Sequence, residues 1–105
     1  MLKIRKTNEY LKWFNSLKNK QAKSKILTRF KQFKQIGKVV NGCYAKKGVY
    51  EIKFEFGAGY RIYYTYYKKE VIFLLAGGSK KRQQNDIDKA VYIKERLNNE
   101  RNKKQ

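Results

Sequence analysis

The sequence contains no histidine and no proline, a single cysteine, and only 8 acidic residues against 27 lysines and arginines. Each shortage closes a route. Without histidine there is no imidazole to serve as general acid or base, and none to activate Cys43 as a nucleophile, so Cys43 reads as a small strand residue. One cysteine cannot close an internal disulfide. One cysteine and eight scattered acids give no ligand spacing for zinc or calcium, so neither a metal nor any other cofactor is expected. Gly77-Gly78 lacks the spacing of a phosphate-binding glycine loop. No apolar run resembles a signal peptide or a membrane span, which points to a cytoplasmic protein with no membrane partner.

The scarcity of acids leaves a net charge of +19, and no segment is acidic: the first 36 residues alone carry 11 bases against 1 acid. A lysine-rich surface built for solubility would normally raise glutamate along with lysine. A one-signed surplus is instead the electrostatic footprint of a domain that meets a polyanion, with RNA the expected target. Disorder is excluded by the apolar content of 41%, with nine Tyr and six Phe. At 105 residues the chain has room for one core, so residues 1–105 are expected to form one domain.

The hydrophobic period divides the chain into helical and strand segments. Leu2 to Lys6 reads as a short strand. Thr7 or Asn8 can cap a helix to about Lys18, with Tyr10, Trp13, Phe14 and Leu17 on one face. A second helix, about Lys20 to Ile36, repeats the pattern with Ala22, Ile26, Phe30, Phe33 and Ile36 and stops at Gly37. The opposite faces of this helical hairpin carry Lys12, Lys18, Lys20, Lys23, Lys25 and Lys31, either a solvated surface or a phosphate-binding one. From Val39 the period is two. Val49 to Phe56 and Tyr60 to Tyr67 are expected to pair through a tight turn at Gly57-Ala58-Gly59, with Phe56 opposite Tyr60. That pairing puts Ile52, Phe54, Ile62 and Tyr64 on one face and Glu51, Lys53, Glu55, Arg61 and Tyr63 on the other. Glu70 to Ala76 is apolar enough for a central strand. A last helix from about Lys80 to Leu97 should bury Ile87, Ala90, Val91, Lys94 and Leu97, with residues 98–105 a frayed tail. The fold class is α+β, with a mainly antiparallel sheet.

The chemistry left to such a sequence is cationic. Lys53 and Arg61 face the same way on paired strands, and Lys80, Lys81 and Arg82 follow the last strand. Cleavage of RNA by its own 2′-oxygen needs a base, cations to hold the charge of the phosphorane, and an acid for the leaving 5′-oxygen, and Lys, Arg and Tyr can supply all three. A lysine base is deprotonated in only about one molecule in a thousand near neutrality, a fraction that crowded cations would raise. The alternative is a cross-strand ladder of Lys53 and Arg61 with Glu51 and Glu55, worth well under about 1 kcal/mol per exposed pair.

Gly57-Ala58-Gly59-Tyr60-Arg61-Ile62-Tyr63-Tyr64, then Leu74-Leu75-Ala76-Gly77-Gly78-Ser79-Lys80, then Gln83, Asp86, Ile87 and Ala90 resemble the HigB-like addiction-module killer proteins of the RelE/ParE toxin superfamily. The resemblance runs from Trp13 to the last helix. It implies a helical hairpin packed on a small sheet, a helix-turn-helix, DNA-binding antitoxin as partner (and operator DNA through it), and, in many members, cleavage of messenger RNA on the ribosome. By motif position it assigns phosphate stabilisation to Arg61, the base to Lys53 and a further phosphate contact to Lys80 and Lys81, and Gln83 matches a polar position of the motif. The charge pattern adds Arg82 after the last strand and Lys20 and Lys23 on the hairpin as RNA contacts, and Tyr63, on the Arg61 face, is a candidate RNA contact and leaving-group acid. This sequence has Ser79 where the family usually carries an acid, and Lys53 where arginine is frequent, and both changes keep or add positive charge. The ParE branch of the superfamily poisons DNA gyrase without an enzymatic step, and a non-toxic RNA- or ribosome-binding module is a third possibility.

Overall fold

The computed structural model describes residues 1–57 and 59–103, with the side chains of residues 101–103 left aside. In chain order the elements are β1 (Lys3–Lys6), α1 (Asn8–Ser16), α2 (Lys20–Ile36), β2 (Cys43–Lys46), β3 (Val49–Lys53), β4 (Tyr60–Lys68), β5 (Val71–Ser79), a 3-10 turn (Lys80–Arg82) and α3 (Gln83–Lys103). The strands form one sheet in the order β1-β5-β4-β3-β2, antiparallel except where β1 runs parallel to β5.

Local chemistry sets the helix ends. The Thr7 hydroxyl accepts from the Tyr10 N–H at 3.1 Å, capping α1, and donates to the Leu74 carbonyl at 2.9 Å, so one side chain starts the helix and ties it to β5. Asn19 caps α2 by accepting from the N–H groups of Gln21 and Ala22. Gly37 ends α2 in the left-handed conformation at φ 92°, where a side chain would be strained. The stripe of α2 closes at Phe33; Ile36, expected in the core, lies one turn too far and is exposed.

The hairpin α1–α2 covers one face of the sheet, burying Tyr10, Ile26, Phe30 and Phe33 against Ile52, Phe54, Ile62, Tyr64, Ile72 and Leu74. Helix α3 covers the other, where Ile87, Ala90, Val91 and Ile93 meet Val49, Tyr63, Leu75 and Ala76. Each fully buried aliphatic side chain contributes roughly 1.5–3 kcal/mol, and β5 collects this from both sides. On α3 the residue that enters the core is Ile93, not Lys94, whose stem lies against Gly48. The helix runs to Lys103, past the end expected near Asn98.

The β3–β4 register differs from expectation by two residues. Phe54 N–H donates to the Tyr60 carbonyl at 2.8 Å, and Lys53 stands opposite Arg61, so the connection is a loop of residues 55–59. A shift of two preserves parity, and the faces assigned to these strands are therefore retained. Ala58 of the expected turn lies outside the described residues.

Candidate active site

Two strand pairings build the site. Lys53 on β3 is opposite Arg61 on β4, and Arg61 is opposite Gly78 on β5, so three adjacent positions form a row on the α3 side of the sheet. Beyond Ser79, which is opposite Tyr60, the chain turns through Lys80 and leads its side chain back against Gly59. Gly59 has φ 72° and carries no Cβ there; a Cβ would stand 3.4 Å from that of Lys80. The outcome is a groove of about 380 Å³ lined by Lys53, Glu55, Gly59, Tyr60, Arg61 and Lys80. Lys53 and Glu55 also belong to an adjoining groove of about 410 Å³ that Arg29 and Asn41 complete.

Arg61 is fixed in place. Its Nη1 donates to Glu51 Oε1 at 3.2 Å, and Gln83 Nε2 donates to both oxygens of the same carboxylate, at 3.2 and 3.4 Å. Only 11% of the Arg61 side chain and 7% of the Glu51 side chain are exposed. This is a part-buried bracket, not the exposed ladder that alternation suggested, because α3 lies over this face. Arg61 Nε has no hydrogen-bond partner among the described residues.

Of the residues expected at the site, the structure brings Lys53, Arg61 and Lys80 together. Lys81 is exposed on the 3-10 turn and does not line the groove; Arg82 lines a separate cleft, described below. Gln83 supports Glu51 from beneath. Lys20 is exposed at the start of α2 and Lys23 lies over the Phe14 ring, so neither reaches the groove. Tyr63 is a correction. It was expected to contact RNA, but it is wholly buried under α3. Burial, reinforced by Glu51 and Asp86, pushes its hydroxyl well above the usual phenol range, so it keeps its proton. Arg29 was missed. It sits three residues after Ile26 and seven after Ala22, at the margin of the apolar stripe, and its guanidinium lies 4.7 Å from the centre of the Phe54 ring.

The chemistry available is therefore that of three cations and a carboxylate around one opening. Among the described residues no three His, Cys, Asp or Glu side chains gather as a metal site would need. A wider groove, about 610 Å³, runs beside β1 between Lys3 and Arg5 on one side and Lys31 and Lys34 on the other. It offers positive charge but no paired strand positions that would aim it at one phosphate.

This architecture, a sheet of five strands with a helical hairpin on one face and the basic groove at its end, is a RelE-type fold. The E. coli RelBE toxin-antitoxin complex contains a chain that superimposes with a TM-score of 0.60 at 17% identity, over 75% of this chain and 96% of that one. A doubly substituted E. coli toxin RelE in the free state gives 0.66 at 18%, over 87% and 95%. Residues 12–98 match the family described as phage derived protein Gp49-like (DUF891), and the chain belongs to that family. An uncharacterized protein of Haemophilus influenzae is 33% identical over 98 residues, covering 91% of this chain and 96% of its own length.

Proposed function

We propose that the protein is the toxin of a toxin–antitoxin pair, of the HigB-like branch, and that it cuts messenger RNA on the ribosome. The observation that supports this most is the meeting of Lys53, Arg61 and Lys80 around one groove. The RelE fold and the family membership support the toxin reading, and the RelBE complex supports an antitoxin partner.

In the proposed reaction a neutral Lys53 amine takes the proton of a ribose 2′-hydroxyl, and the 2′-oxygen attacks the adjacent phosphorus. Arg61, held by Glu51, and Lys80 stabilise the charge on the non-bridging oxygens. The P–O5′ bond breaks, a 2′,3′-cyclic phosphate forms, and the 5′-oxygen leaves with a proton from the Lys80 ammonium. Tyr63 is buried and does not line the groove, whereas Lys80 does, and Lys80 is therefore given the role of acid. Lys20, Lys23 and Lys31 lie off the groove and cannot serve one scissile phosphate; they fit a larger polyanion, the ribosome. A helix-turn-helix antitoxin, binding operator DNA, would meet the same positive field, and its association should be fast and salt-sensitive.

The test is primer extension on cellular messenger RNA after brief induction of wild type and Lys53→Ala. Lys53 is exposed, so its truncation leaves no buried charge behind. Cuts within translated codons, lost in the variant, are the expected result. Intact RNA with growth still arrested would overturn the nuclease and leave a gyrase-type poison.

A further inference from the structure

Strand β1 reaches only as far as Leu74 along β5, and the Thr7 hydroxyl reaches Leu75. Beyond that point, among the described residues, β5 has no strand neighbour on its outer side, and the unpaired edge is made of Ala76, Gly77, Gly78 and Ser79. A cleft of about 350 Å³ opens along this edge.

The two glycines are there because large side chains lie against them from opposite faces. A Cβ at Gly77 would collide with the benzo ring of Trp13, three of whose atoms are its nearest neighbours. A Cβ at Gly78 would collide with Asp86 Oδ2. The cleft thus has an indole on one side, a carboxylate on the other, and bare backbone between.

Asp86 is only 8% exposed, it lines this cleft, and its Oδ2 has no hydrogen-bond partner among the described residues. Burial holds its carboxyl above the usual range, countered by Arg82 and Lys89, which also line the cleft. An acceptor kept buried and unpartnered at a cost in stability calls for a donor from outside. Tyr60 joins this cleft to the groove of Lys53, Arg61 and Lys80, since it lines both, and its ring meets that of Trp13 edge-on at 6.4 Å. Because Gly78 is paired with Arg61, the two openings are carried by neighbouring backbone positions one strand spacing, ~5 Å, apart.

We infer that this cleft is a nucleobase subsite of the RNA substrate, in which Trp13 supplies a stacking surface and Asp86 accepts hydrogen bonds from guanine. A splayed base read on its Watson–Crick edge and stacked on an aromatic ring is how proteins recognise single-stranded RNA. Guanine alone presents two neighbouring donors, its ring N–H and amino group, to an acceptor-only carboxylate. Adenine and cytosine set an acceptor beside the amino group, and uracil flanks its one N–H with two carbonyls. Arg82 and Lys89 then meet the adjoining phosphate. The inference rests on the ribonuclease reading for its substrate, but it makes a claim about binding that the free protein can answer.

Trp13 is the only tryptophan, so its fluorescence reports on this cleft. The experiment titrates the wild type and Asp86→Asn with the 5′-monophosphates of guanosine, adenosine, cytidine and uridine at one ionic strength. The four carry the same phosphate, so the net charge of +19 favours them equally and only the base distinguishes them. Guanosine monophosphate should change Trp13 emission and bind about fivefold or more tightly than the others, in line with a base contact of about 1–3 kcal/mol, and Asp86→Asn should erase that preference. Equal binding of all four, or a guanine preference that survives Asp86→Asn, overturns the subsite. If no nucleotide moves Trp13 but a strand-forming antitoxin peptide does, the open edge is a protein-docking edge and the inference fails. The four-way comparison on the wild type decides the matter even if Asp86→Asn does not fold. Selective guanine binding without cleavage on ribosomes would sink the proposed function and leave the subsite standing.

Discussion

Replacing Arg61 with alanine should damage the fold as well as the chemistry, and the structure says by how much. The guanidinium shares a part-buried pair with Glu51 at 3.2 Å, both side chains being nearly inaccessible. Removing one partner of such a pair costs about 3–5 kcal/mol, because the carboxylate stays behind in a poorly solvated site. Here Gln83 continues to donate to both Glu51 oxygens, which places the expectation at the lower end, about 3 kcal/mol. At roughly 4–8 °C per kcal/mol for a domain of this size, the melting temperature of Arg61→Ala should fall by about 12 °C or more. Neutralising the carboxylate too, in Glu51→Gln with Arg61→Ala, removes the stranded charge and leaves chiefly the lost hydrogen bonds, about 1–1.5 kcal/mol. Urea unfolding followed by circular dichroism measures both, provided the denaturant slope is common to all variants. The double variant should recover at least about 1.5 kcal/mol over the single one. If the two unfold at the same midpoint, the pair is not buried in the energetic sense and the bracket around Arg61 is wrong.

Thr7→Ala removes the cap of α1 and its bond to the Leu74 carbonyl together, so it should lower stability by about 1–3 kcal/mol, read as a shift in urea midpoint, whereas Thr7→Ser should retain most of it. Gly77→Ala sets a methyl group into the Trp13 ring and should cost about 1–3 kcal/mol by overpacking, accompanied by a shift in tryptophan emission. Glu9 is held below the ordinary carboxylate range by its hydrogen bond from Arg96, and burial only partly offsets this. A lowered carboxylate stabilises the fold above its ordinary pKa of 4.5, and that contribution fades as the pH falls from there through the lowered value. The wild type should therefore exceed Arg96→Gln by about 1 kcal/mol near neutrality, a gap that closes in acid, as pH-resolved thermal unfolding would show.

Much of this architecture could be read from residue spacing. The stripe Ala22, Ile26, Phe30, Phe33 defines α2 because a helix that packs on a sheet must repeat its apolar side near every 3.6 residues, and Gly37 marks its end. The alternation around Ile52 and Ile62 likewise sorted β3 and β4 into two faces. What alternation does not reveal is which face a later helix covers. Glu51, Arg61 and Tyr63 looked like a solvent row because two are charged, yet α3 closes over them, and the ion pair with Gln83 beneath makes that burial tolerable. The β3–β4 register was equally undetermined, since pairings differing by two residues preserve every face and only the length of the 55–59 loop separates them. At the candidate site, the meeting of Lys53 with Arg61 followed from parity, and Lys80 from the end of a central strand. The cleft beside Gly77 and Gly78 was not legible, because it depends on Trp13 and Asp86 arriving from opposite sides of the sheet, a relation between positions far apart in sequence.

The pairing of β1 with β5 bears on how the molecule comes into being. Thr7 bonds to a carbonyl 68 residues further along. Contacts of such separation are closed late and slowly, after the local hairpins have formed. During synthesis, which proceeds at about 5–20 residues per second, the first strand must wait unpaired for several seconds until β5 has been made. The groove is subject to the same delay, as Lys80 and the Gln83 that supports Glu51 come later still. On the proposed reading a nascent chain gains its activity only once Lys80 and Gln83 have been made and brought to the strands that precede them.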